Sequence, residues 1–362
     1  MKIHYLVTSL ENGGAEFAIP SIVQSLERHG CSVEVIACEP RDMKAAPKLE
    51  AAHIPYTVMF DKRRNFIHYT KAYLDIIKKS KPDVIWTSLS GATIVGQFAG
   101  LLANIPVVSW KHSAAVRSYT QIFRKLSKLW IADSAVVEEF LNKKMKIPKS
   151  DILSWPLYYC DKILPTRSYW NNTTPLHIGS MGRLREQKNY SVLIDAIYNF
   201  VQKNPDLGNK IRVSIAGTGP LFSELQEKIK QYSLQEIFVL LGYNENTQAY
   251  LDSLDVYIQP STFEGMCLAV HEAMATGLPV IATPVGELTY SVMDGETGFI
   301  LSGNIENSIV EALEKIFAQP SLVQTYGLNA QKFVSQKFSL KSFDEASGRI
   351  VTRIKEKILY LN

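Results

Sequence analysis

Two carboxylates eight positions apart stand in the run Pro260-Ser-Thr-Phe-Glu-Gly-Met-Cys-Leu-Ala-Val-His-Glu-Ala-Met-Ala275. The pattern predicts Glu264 in a loop that closes a strand and Glu272 about one turn into the following helix. Backbone N–H groups at a helix start favour an anion such as a diphosphate, and here they belong to Gly265, Met266, Cys267 and Leu268. Glu272 could then accept two ribose hydroxyls. The structural alternative makes Glu264 a helix N-terminal charge and Glu272 a solvated residue.

A second loop, Met181-Gly-Arg-Leu-Arg-Glu-Gln-Lys-Asn189, carries two cations after a predicted strand and before a predicted helix. Arg183 and Lys188 suit a leaving diphosphate, because both side chains donate charge-assisted hydrogen bonds. A solvated basic loop is the alternative interpretation. A third loop, Ile215-Ala-Gly-Thr-Gly-Pro-Leu221, contains a Gly-x-Gly that is weak evidence alone, since a plain tight turn has the same pattern.

Strand and helix patterns alternate along the chain, which predicts parallel sheets covered on both faces. The uncharged stretch Val84–Trp110 is expected to be a strand, a small-residue helix and another strand rather than a membrane span. This alternation of strands and helices stops at Tyr158–Pro175, which is interpreted as a linker, and resumes after it. Two doubly wound α/β domains are therefore expected, with ligands at the carboxyl ends of their strands.

Length, cysteine content and charge indicate the number of domains, the compartment and the kind of partner. The 362 residues suit two domains, and the four scattered cysteines contain no C-x-x-C pair, which suits a reducing, cytoplasmic compartment. The N-terminal apolar run is too short for a signal peptide. Residues 1–165 carry 22 basic and 15 acidic side chains, a net +7, whereas residues 166–362 carry a net −3. A basic first half suggests an anionic neighbour, but no nucleic-acid-binding motif is present.

The carboxylate run, continued by Gly277-Leu-Pro-Val-Ile-Ala282, resembles the signature of retaining glycosyltransferases of family 4, which have the GT-B fold. The resemblance covers nearly the whole chain and is strongest in the second half. It implies two Rossmann-like domains facing a central cleft, with an acceptor-binding domain at 1–165 and a nucleotide-sugar domain at 174–340. It also implies that the final helix, 342–362, packs back on the first domain.

The resemblance also implies roles for individual residues. Glu264 would contact the donor sugar, Glu272 would hold the nucleotide ribose, and Arg183 and Lys188 would neutralise the departing phosphates. The matching donor-side loops contain Gly13, Gly14, Gly217, Gly219 and Tyr243, of which Tyr243 could cover the base. His112, after a first-domain strand, matches a family histidine that reaches the sugar, although a structural loop histidine remains the alternative. A nicotinamide site is disfavoured, since the glycines near Gly13 have the wrong spacing.

Some features depart from the family or leave its chemistry open. The family's Gly-Gly-x-x-Glu reads Gly286-Glu-Leu-Thr-Tyr290 here, so that loop's role is not carried over. No Asp-x-Asp is present, which predicts transfer without a metal ion or other cofactor. The donor is expected to be a UDP- or GDP-sugar and the acceptor a glycan, for example a lipid-linked one. An epimerase of the same fold and a catalytically silent scaffold subunit remain alternatives.

Two basic stretches of the first half, Lys62–Arg64 and Arg117–Trp130, bear on membrane association. The second mixes Arg124, Lys125 and Lys128 with aromatic and aliphatic residues, a pattern typical of a helix on an anionic membrane surface. An amphipathic helix that packs on its own sheet is the alternative. Peripheral association with the inner face of the plasma membrane is thus a hypothesis.

Overall fold

The computed structural model describes residues 1–115, 118–160 and 167–359. Two compact units divide the chain: residues 1–159 with 340–362 form the first, and residues 160–339 form the second. Each unit contains one sheet whose strand pairs are all parallel. The predicted pair of doubly wound α/β domains is therefore confirmed.

The first unit has seven strands in the order β3-β2-β1-β4-β5-β6-β7. They are β1 Lys2–Ser9, β2 Ser32–Glu39, β3 Tyr56–Val58, β4 Val84–Ser88, β5 Val107–Lys111, β6 Leu129–Ala132 and β7 Ile152–Ser154. The helices between them are α1 Gly14–Phe17, α2 Ile19–Arg28, α3 Ala46–Ala51, α4 Phe66–Ser80, α5 Ser90–Ala103, α6 Ser118–Ile122 and α7 Ala135–Lys143. The strand order reverses between β1 and β4, the position where such sheets bind ligands.

The second unit has six strands in the order β10-β9-β8-β11-β12-β13. They are β8 Leu176–Met181, β9 Ile211–Ala216, β10 Phe238–Gly242, β11 Val256–Gln259, β12 Val280–Ala282 and β13 Gly298–Ile300. Its helices are α8 Tyr190–Lys203, α9 Phe222–Gln231, α10 Thr247–Asp252, α11 Leu268–Ala275, α12 Leu288–Ser291, α13 Ile305–Ala318 and α14 Ser321–Lys337. Here the order reverses between β8 and β11, which places the loops after these two strands at the switch point.

The last helix, α15 Leu340–Ile354, belongs to the first unit and continues as a π-helical segment, Lys355–Leu359. Asp344 on α15 accepts hydrogen bonds from Arg28 (Nε, 2.9 Å) and from Ser25 Oγ (2.7 Å) on α2. A bidentate guanidinium–carboxylate contact of this kind orients the two helices as well as attracting them. Residues 360–362 of the predicted helix lie outside the described residues.

The uncharged stretch of the first half forms β4, α5 and β5 as predicted. Gly96 lets α5 approach the sheet closely, because a Cβ there would lie 2.3 Å from Thr87 Cγ2. Trp86, Trp110 and Trp155 fill the core on the opposite face of the sheet, with the rings of Trp110 and Trp155 stacked at 4.8 Å. None of the helices in the described part of the chain has the length and apolarity that a membrane crossing requires.

Two stretches predicted as single helices are not continuous helices in the structure. The stretch Ala15–His29, whose sequence pattern predicts one continuous helix, is split at Ala18 into α1 and α2, because Pro20 starts a new helix and cannot continue one. The basic stretch Arg117–Trp130 is not one amphipathic helix, and its first residue, Arg117, lies outside the described residues. After the short α6, Ser127 is extended and Trp130 is buried in β6, since the sheet requires that strand.

Several structural features were not predicted from the sequence. The short strands β3, β7 and β13 were not predicted, because three residues are too few to show a period of two. Within the stretch interpreted as a linker, Trp170 packs into the core of the second unit and Arg167 donates hydrogen bonds to carbonyl groups at the end of α10. Residues 161–166 of that stretch lie outside the described residues.

Candidate functional site

The two strongest sequence motifs meet at the carboxyl end of the second sheet. Lys188, at the end of the loop after β8, donates from Nζ to Glu264 Oε1 at 2.7 Å, and Glu264 follows β11. The side chains are only 16% and 7% exposed. The loops also share backbone contacts, with Thr262 N–H donating to the Gln187 carbonyl at 2.8 Å. The predicted cation and the predicted sugar-contacting carboxylate therefore form a largely buried ion pair.

A chain of hydroxyl and amide groups supports this carboxylate from below. Ser261 Oγ donates to Glu264 Oε1 at 2.6 Å, and Gln259 Nε2 donates to Ser261 Oγ at 2.8 Å. Thr283, just after β12, donates to the Ser261 carbonyl at 2.6 Å. Gln259 and Ser261 are fully buried. Because buried polar groups with every partner in place are rigid, this chain fixes the position of Glu264.

The electrostatics of the pair favour its charged form. Burial opposes the charge on Lys188, but the Glu264 carboxylate, which accepts its hydrogen bond, raises the pKa of Lys188 above its ordinary value. Burial, reinforced by the negative charge of Glu264, also raises the pKa of the Cys267 thiol. Lys188 is therefore a cation at neutral pH and Cys267 is a neutral, unreactive thiol.

The glycines of the third loop serve to pack it against the second. A Cβ on Gly217 would lie 1.9 Å from the Gly182 carbonyl oxygen, and a Cβ on Gly219 would lie 2.4 Å from the Leu184 carbonyl oxygen. Leu184 N–H donates to the Thr218 carbonyl at 2.9 Å across the same contact. Both glycines thus hold the loop that carries Arg183 and Lys188, and their direct contact with a donor stays a prediction.

The remaining predicted residues of the second unit lie at the start of α11, within that helix, or in the loops after β8 and β10. Cys267 caps that helix with a left-handed backbone (φ 55°), which is uncommon for a residue with a side chain and is found most often at functional sites. Met266 is buried, Gly265 and Leu268 are half-buried, and Glu272 is half-buried one turn into the helix. Arg183 is half-buried, Tyr243 is exposed after β10, and Arg185, which has no counterpart in the family pattern, is exposed.

The loop that departs from the family pattern packs directly against Glu264 and Gly265. Gly286 has φ 58°, and a Cβ there would lie 2.4 Å from the Gly265 carbonyl oxygen. Glu287 N–H donates to that same carbonyl at 2.9 Å. The Glu287 carboxylate is buried and accepts from Lys337 Nζ at 2.7 Å. This loop therefore supports the backbone of the carboxylate motif.

A buried histidine supports the same motif from α11. His271 Nδ1 lies 3.0 Å from the Cys267 carbonyl and Nε2 lies 2.9 Å from Ser291 Oγ. Because the carbonyl can only accept, Nδ1 donates and Nε2 accepts. Complete burial lowers the pKa of His271 to about 4, so the ring is neutral at physiological pH.

In the first unit, His112 follows β5 and lies between two polar partners. Its Nε2 is 2.8 Å from Ser88 Oγ, at the end of β4, and its Nδ1 is 3.3 Å from Asp133 Oδ2, after β6. Asp133 is 1% exposed and also accepts from Ser134 Oγ at 3.1 Å. The buried carboxylate fixes Nδ1 as the protonated nitrogen and orients the ring.

In the loop after β1, the packing of a neighbouring side chain requires a glycine. Gly13 precedes α1, and a Cβ there would lie 2.2 Å from Glu16 Oε2, so the buried Glu16 carboxylate folds back into this space. Gly14 is exposed at the start of α1. The donor-binding role predicted for both glycines stays a prediction.

Several supporting residues were missed by sequence reasoning. Ser261 stands within the quoted carboxylate motif and Glu16 within the glycine loop, so both were adjacent to recognised signals. Ser88 and Asp133 carried no signal, since only the parallel sheet brings them to His112. Over residues 1–115, 118–160 and 167–359, no group of three or more His, Cys, Asp or Glu side chains is arranged to hold a metal ion, and metal-independent transfer stays a prediction.

Comparison with known proteins places both halves of the chain in one class. The family model described as Glycosyltransferase Family 4 matches residues 12–157, and the model described as Glycosyl transferases group 1 matches residues 167–333. A lipopolysaccharide core biosynthesis mannosyltransferase of Rhizobium meliloti is 28% identical over 50% of this chain, and the match spans about half of that relative, 52%. An Escherichia coli UDP-Gal:alpha-D-GlcNAc-diphosphoundecaprenol alpha-1,3-galactosyltransferase is 27% identical over 67% of this chain and 68% of its own length.

Solved structures agree on the fold. Anabaena HepE in complex with UDP-glucose superposes with a TM-score of 0.81 at 20% identity, over 97% of this chain and 99% of that one. Sucrose-phosphate synthase from Thermosynechococcus elongatus gives 0.78 at 18% identity, over 98% and 99%. The two family matches together span most of the described chain, and the fold agrees with both. The chain belongs to glycosyltransferase family 4 and has the GT-B fold.

Proposed function

We propose that this protein transfers a sugar from a nucleoside diphosphate sugar to a glycan acceptor. The observation that carries the proposal is the buried Lys188–Glu264 pair, held at the switch point of the second sheet with Glu272 one turn into the adjoining helix. Ligands of doubly wound sheets bind at this position. A cation, a helix start and two carboxylates suit a donor with a diphosphate, a ribose and a hexose.

The proposed reaction breaks the bond between the anomeric carbon and the diphosphate. Negative charge then grows on the leaving group, and Lys188 with Arg183 stabilises it in a partly dehydrated site, where one donor is typically worth a few kcal/mol. Glu264 already has two fixed partners, Lys188 and Ser261, so we assign it to orienting the sugar rather than attacking it. The acceptor hydroxyl would attack the anomeric carbon from the same face and pass its proton to the leaving phosphate, with retention of configuration.

The names of two relatives support a proposal for the class of acceptor. The Rhizobium enzyme is named for lipopolysaccharide core synthesis and the Escherichia coli enzyme for a diphosphoundecaprenol-linked acceptor. By analogy, a cell-surface polysaccharide or its lipid-linked precursor is the proposed acceptor, which would require the enzyme to work at the cytoplasmic surface of a membrane. UDP-sugars are preferred over GDP-sugars as donors, since HepE binds UDP-glucose.

A thermal-shift series with UDP, GDP, ADP and their sugars, without metal, tests the donor site. One nucleotide should stabilise the wild type, and a ligand at 100 times its Kd contributes about 2.7 kcal/mol. Glu272→Ala should lose most of this shift, because the ribose loses its acceptor. Glu296→Ala, at an exposed turn of the same unit, is the matched control and should keep it. A lack of stabilisation by every nucleotide would favour a silent scaffold instead.

Two product measurements test the chemistry. Turnover should persist in EDTA, and the new linkage should keep the anomeric configuration of the donor, as read by NMR. Inversion would refute the same-face mechanism, and loss of activity with EDTA that is restored by a divalent ion would refute metal independence. Conversion of the donor sugar without any acceptor would identify an epimerase.

A further inference from the structure

The exposed bulky aliphatic side chains of the first unit are concentrated on one face. Among the described residues of that unit, Leu340 is the one large exposed hydrophobic residue elsewhere. The other four lie on three neighbouring helices and are 61–71% exposed: Ile67 on α4, Leu101 and Leu102 on α5, and Ile122 on α6. We call these four residues the aliphatic face. Apolar groups clustered in this way on a surface generally mark a binding site.

A continuous aromatic contact ties the aliphatic face together. The rings of Phe66 and Phe98 lie 5.1 Å apart, and those of Phe98 and Phe123 lie 4.8 Å apart. Ile67 and Ile122 directly adjoin the outer two rings in sequence, while Leu101 and Leu102 are three and four positions beyond Phe98 on α5. At these spacings Leu101 and Leu102 lie on the side of α5 that carries Phe98, and the two ring contacts bring the chain around Ile67 and Ile122 next to it. Helix α5 itself carries no charged residue.

Positive charge borders this apolar surface on both sides. Residues 62–81, which include α4, carry seven Lys or Arg and one Asp, and residues 118–130 carry three Lys or Arg and no acidic residue. Lys62, Arg63 and Lys71 are exposed before and on α4, and Lys125 and Lys128 are exposed after α6. This excess of cations is far above the overall formal charge of +4 for the chain. A partner with an apolar interior and an anionic surface would complement both features.

A groove beside the aliphatic face also combines apolar and basic side chains. It measures about 550 Å³ and is lined by Leu74, Ile77, Leu102 and Ile105, with Lys78 and Lys81 beside them. Its lining thus combines apolar side chains, suited to a hydrocarbon chain, with ammonium groups suited to a phosphate.

We infer that the aliphatic face docks on a bilayer that contains anionic phospholipid. Ile67, Leu101, Leu102 and Ile122 enter the interfacial region while the flanking cations contact phosphate groups. This surface replaces the single amphipathic helix expected from the sequence, and the two share Ile122 and the cations Arg124, Lys125 and Lys128. The inference rests on the proposed function for its purpose, which is to bring the enzyme to a lipid-linked acceptor.

Vesicle co-sedimentation without donor tests the surface directly. The full chain should bind vesicles of phosphatidylcholine with phosphatidylglycerol and release them as salt increases, and should bind pure phosphatidylcholine weakly. Lys125→Glu/Lys128→Glu should reduce binding at least about 30-fold, taking about fivefold for each cation removed. Leu101→Ser/Leu102→Ser should reduce it about tenfold or more. Leu328→Ser, an exposed leucine on α14, is the matched control and should bind as the wild type does.

Three results would overturn the inference: no binding of the wild type to anionic vesicles, equal binding to neutral ones, or unchanged binding of both variants. A wild-type dimer that becomes a monomer in Leu101→Ser/Leu102→Ser, by sedimentation velocity, would instead assign the face to a second copy. Nucleotide thermal shifts on the same variants separate this test from the donor site. Retained shifts with lost vesicle binding locate the defect at the membrane, whereas absent shifts in the wild type refute the proposed donor function alone.

Discussion

Removal of the Lys188 ammonium group should destabilise the protein and weaken donor binding by separable mechanisms. In Lys188→Met, the Glu264 carboxylate stays 7% exposed and keeps one hydroxyl donor, Ser261. Loss of one member of a buried pair costs about 3–5 kcal/mol. Because Ser261 still donates and Lys188 retains some solvent contact, we expect the lower end, about 3 kcal/mol, in urea unfolding of the free protein.

A double substitution isolates the role in binding. Lys188→Met/Glu264→Gln removes both charges, so the free energy of unfolding should return to within about 1 kcal/mol of the wild type. Nucleoside diphosphate affinity should not return, since the cation for the phosphates is absent, and should stay about 10–100-fold weaker, the worth of one charged hydrogen bond. Isothermal titration with UDP and GDP measures this difference.

An exposed ion pair in the same unit provides the control for both variants. Lys203→Met breaks an exposed pair with Glu314 in the same unit, where the side chains are 62% and 30% exposed, and should cost at most about 1 kcal/mol. If the double variant binds the nucleotide as tightly as the wild type, Lys188 is a structural partner of Glu264 and does not contact the diphosphate. If Lys188→Met unfolds like Lys203→Met, the pair is not the buried interaction that the distances indicate.

Three further predictions follow from neighbouring contacts. Gly217→Ala should cost about 3 kcal/mol in urea unfolding, because its Cβ overlaps the Gly182 carbonyl, whereas Gly303→Ala (φ 62°, open space) should cost about 1 kcal/mol; equal costs would contradict the packing argument. Buried His271 stays neutral to about pH 4 while the unfolded chain protonates near 6.5, so its contribution to stability is complete above pH 6.5 and declines as pH falls toward 4. The stability difference between wild type and His271→Asn should shrink over that range by up to about 3 kcal/mol, and a constant difference would refute the assignment. Lys337→Met should cost about 2–3 kcal/mol by removing the ion-pair partner of buried Glu287, and Glu287→Gln/Lys337→Met should recover most of it in thermal unfolding; no recovery would mean that Lys337 acts through its ring contacts alone.

The sequence predicted the fold and the second-unit motifs because both depend on local patterns. Strand and helix periods repeat over six or more residues in most elements, and the carboxylate motif is contiguous, so Glu264 and Glu272 were found directly. The three-residue strands and the break in the basic stretch depended on sheet formation instead. At the end of that stretch, the apolar run Leu129–Ala132 predicts the strand that the structure has as β6, and Trp130 is buried in it.

The pairings within the sites were not accessible in the same way. Lys188 and Glu264 are 76 positions apart, and nothing in either loop indicates that the cation is already paired before a ligand arrives. Ser88, His112 and Asp133 follow three different strands, and adjacency in the parallel sheet alone joins them. Motif reading therefore identifies which residues carry charge, whereas three-dimensional contacts decide which charges are compensated.

The departure from the family pattern at Glu287 illustrates this distinction. Gly286 is needed for steric reasons, since its Cβ would overlap the Gly265 carbonyl, and it is retained. Position 287 contributes its backbone N–H to that same carbonyl, which a residue of almost any type can supply. The side chain is then free to differ, provided that a buried charge finds a partner, and Lys337 provides one at 2.7 Å. A change in the second residue of this motif therefore leaves the support of the Glu264 loop intact, and a change in the first would not.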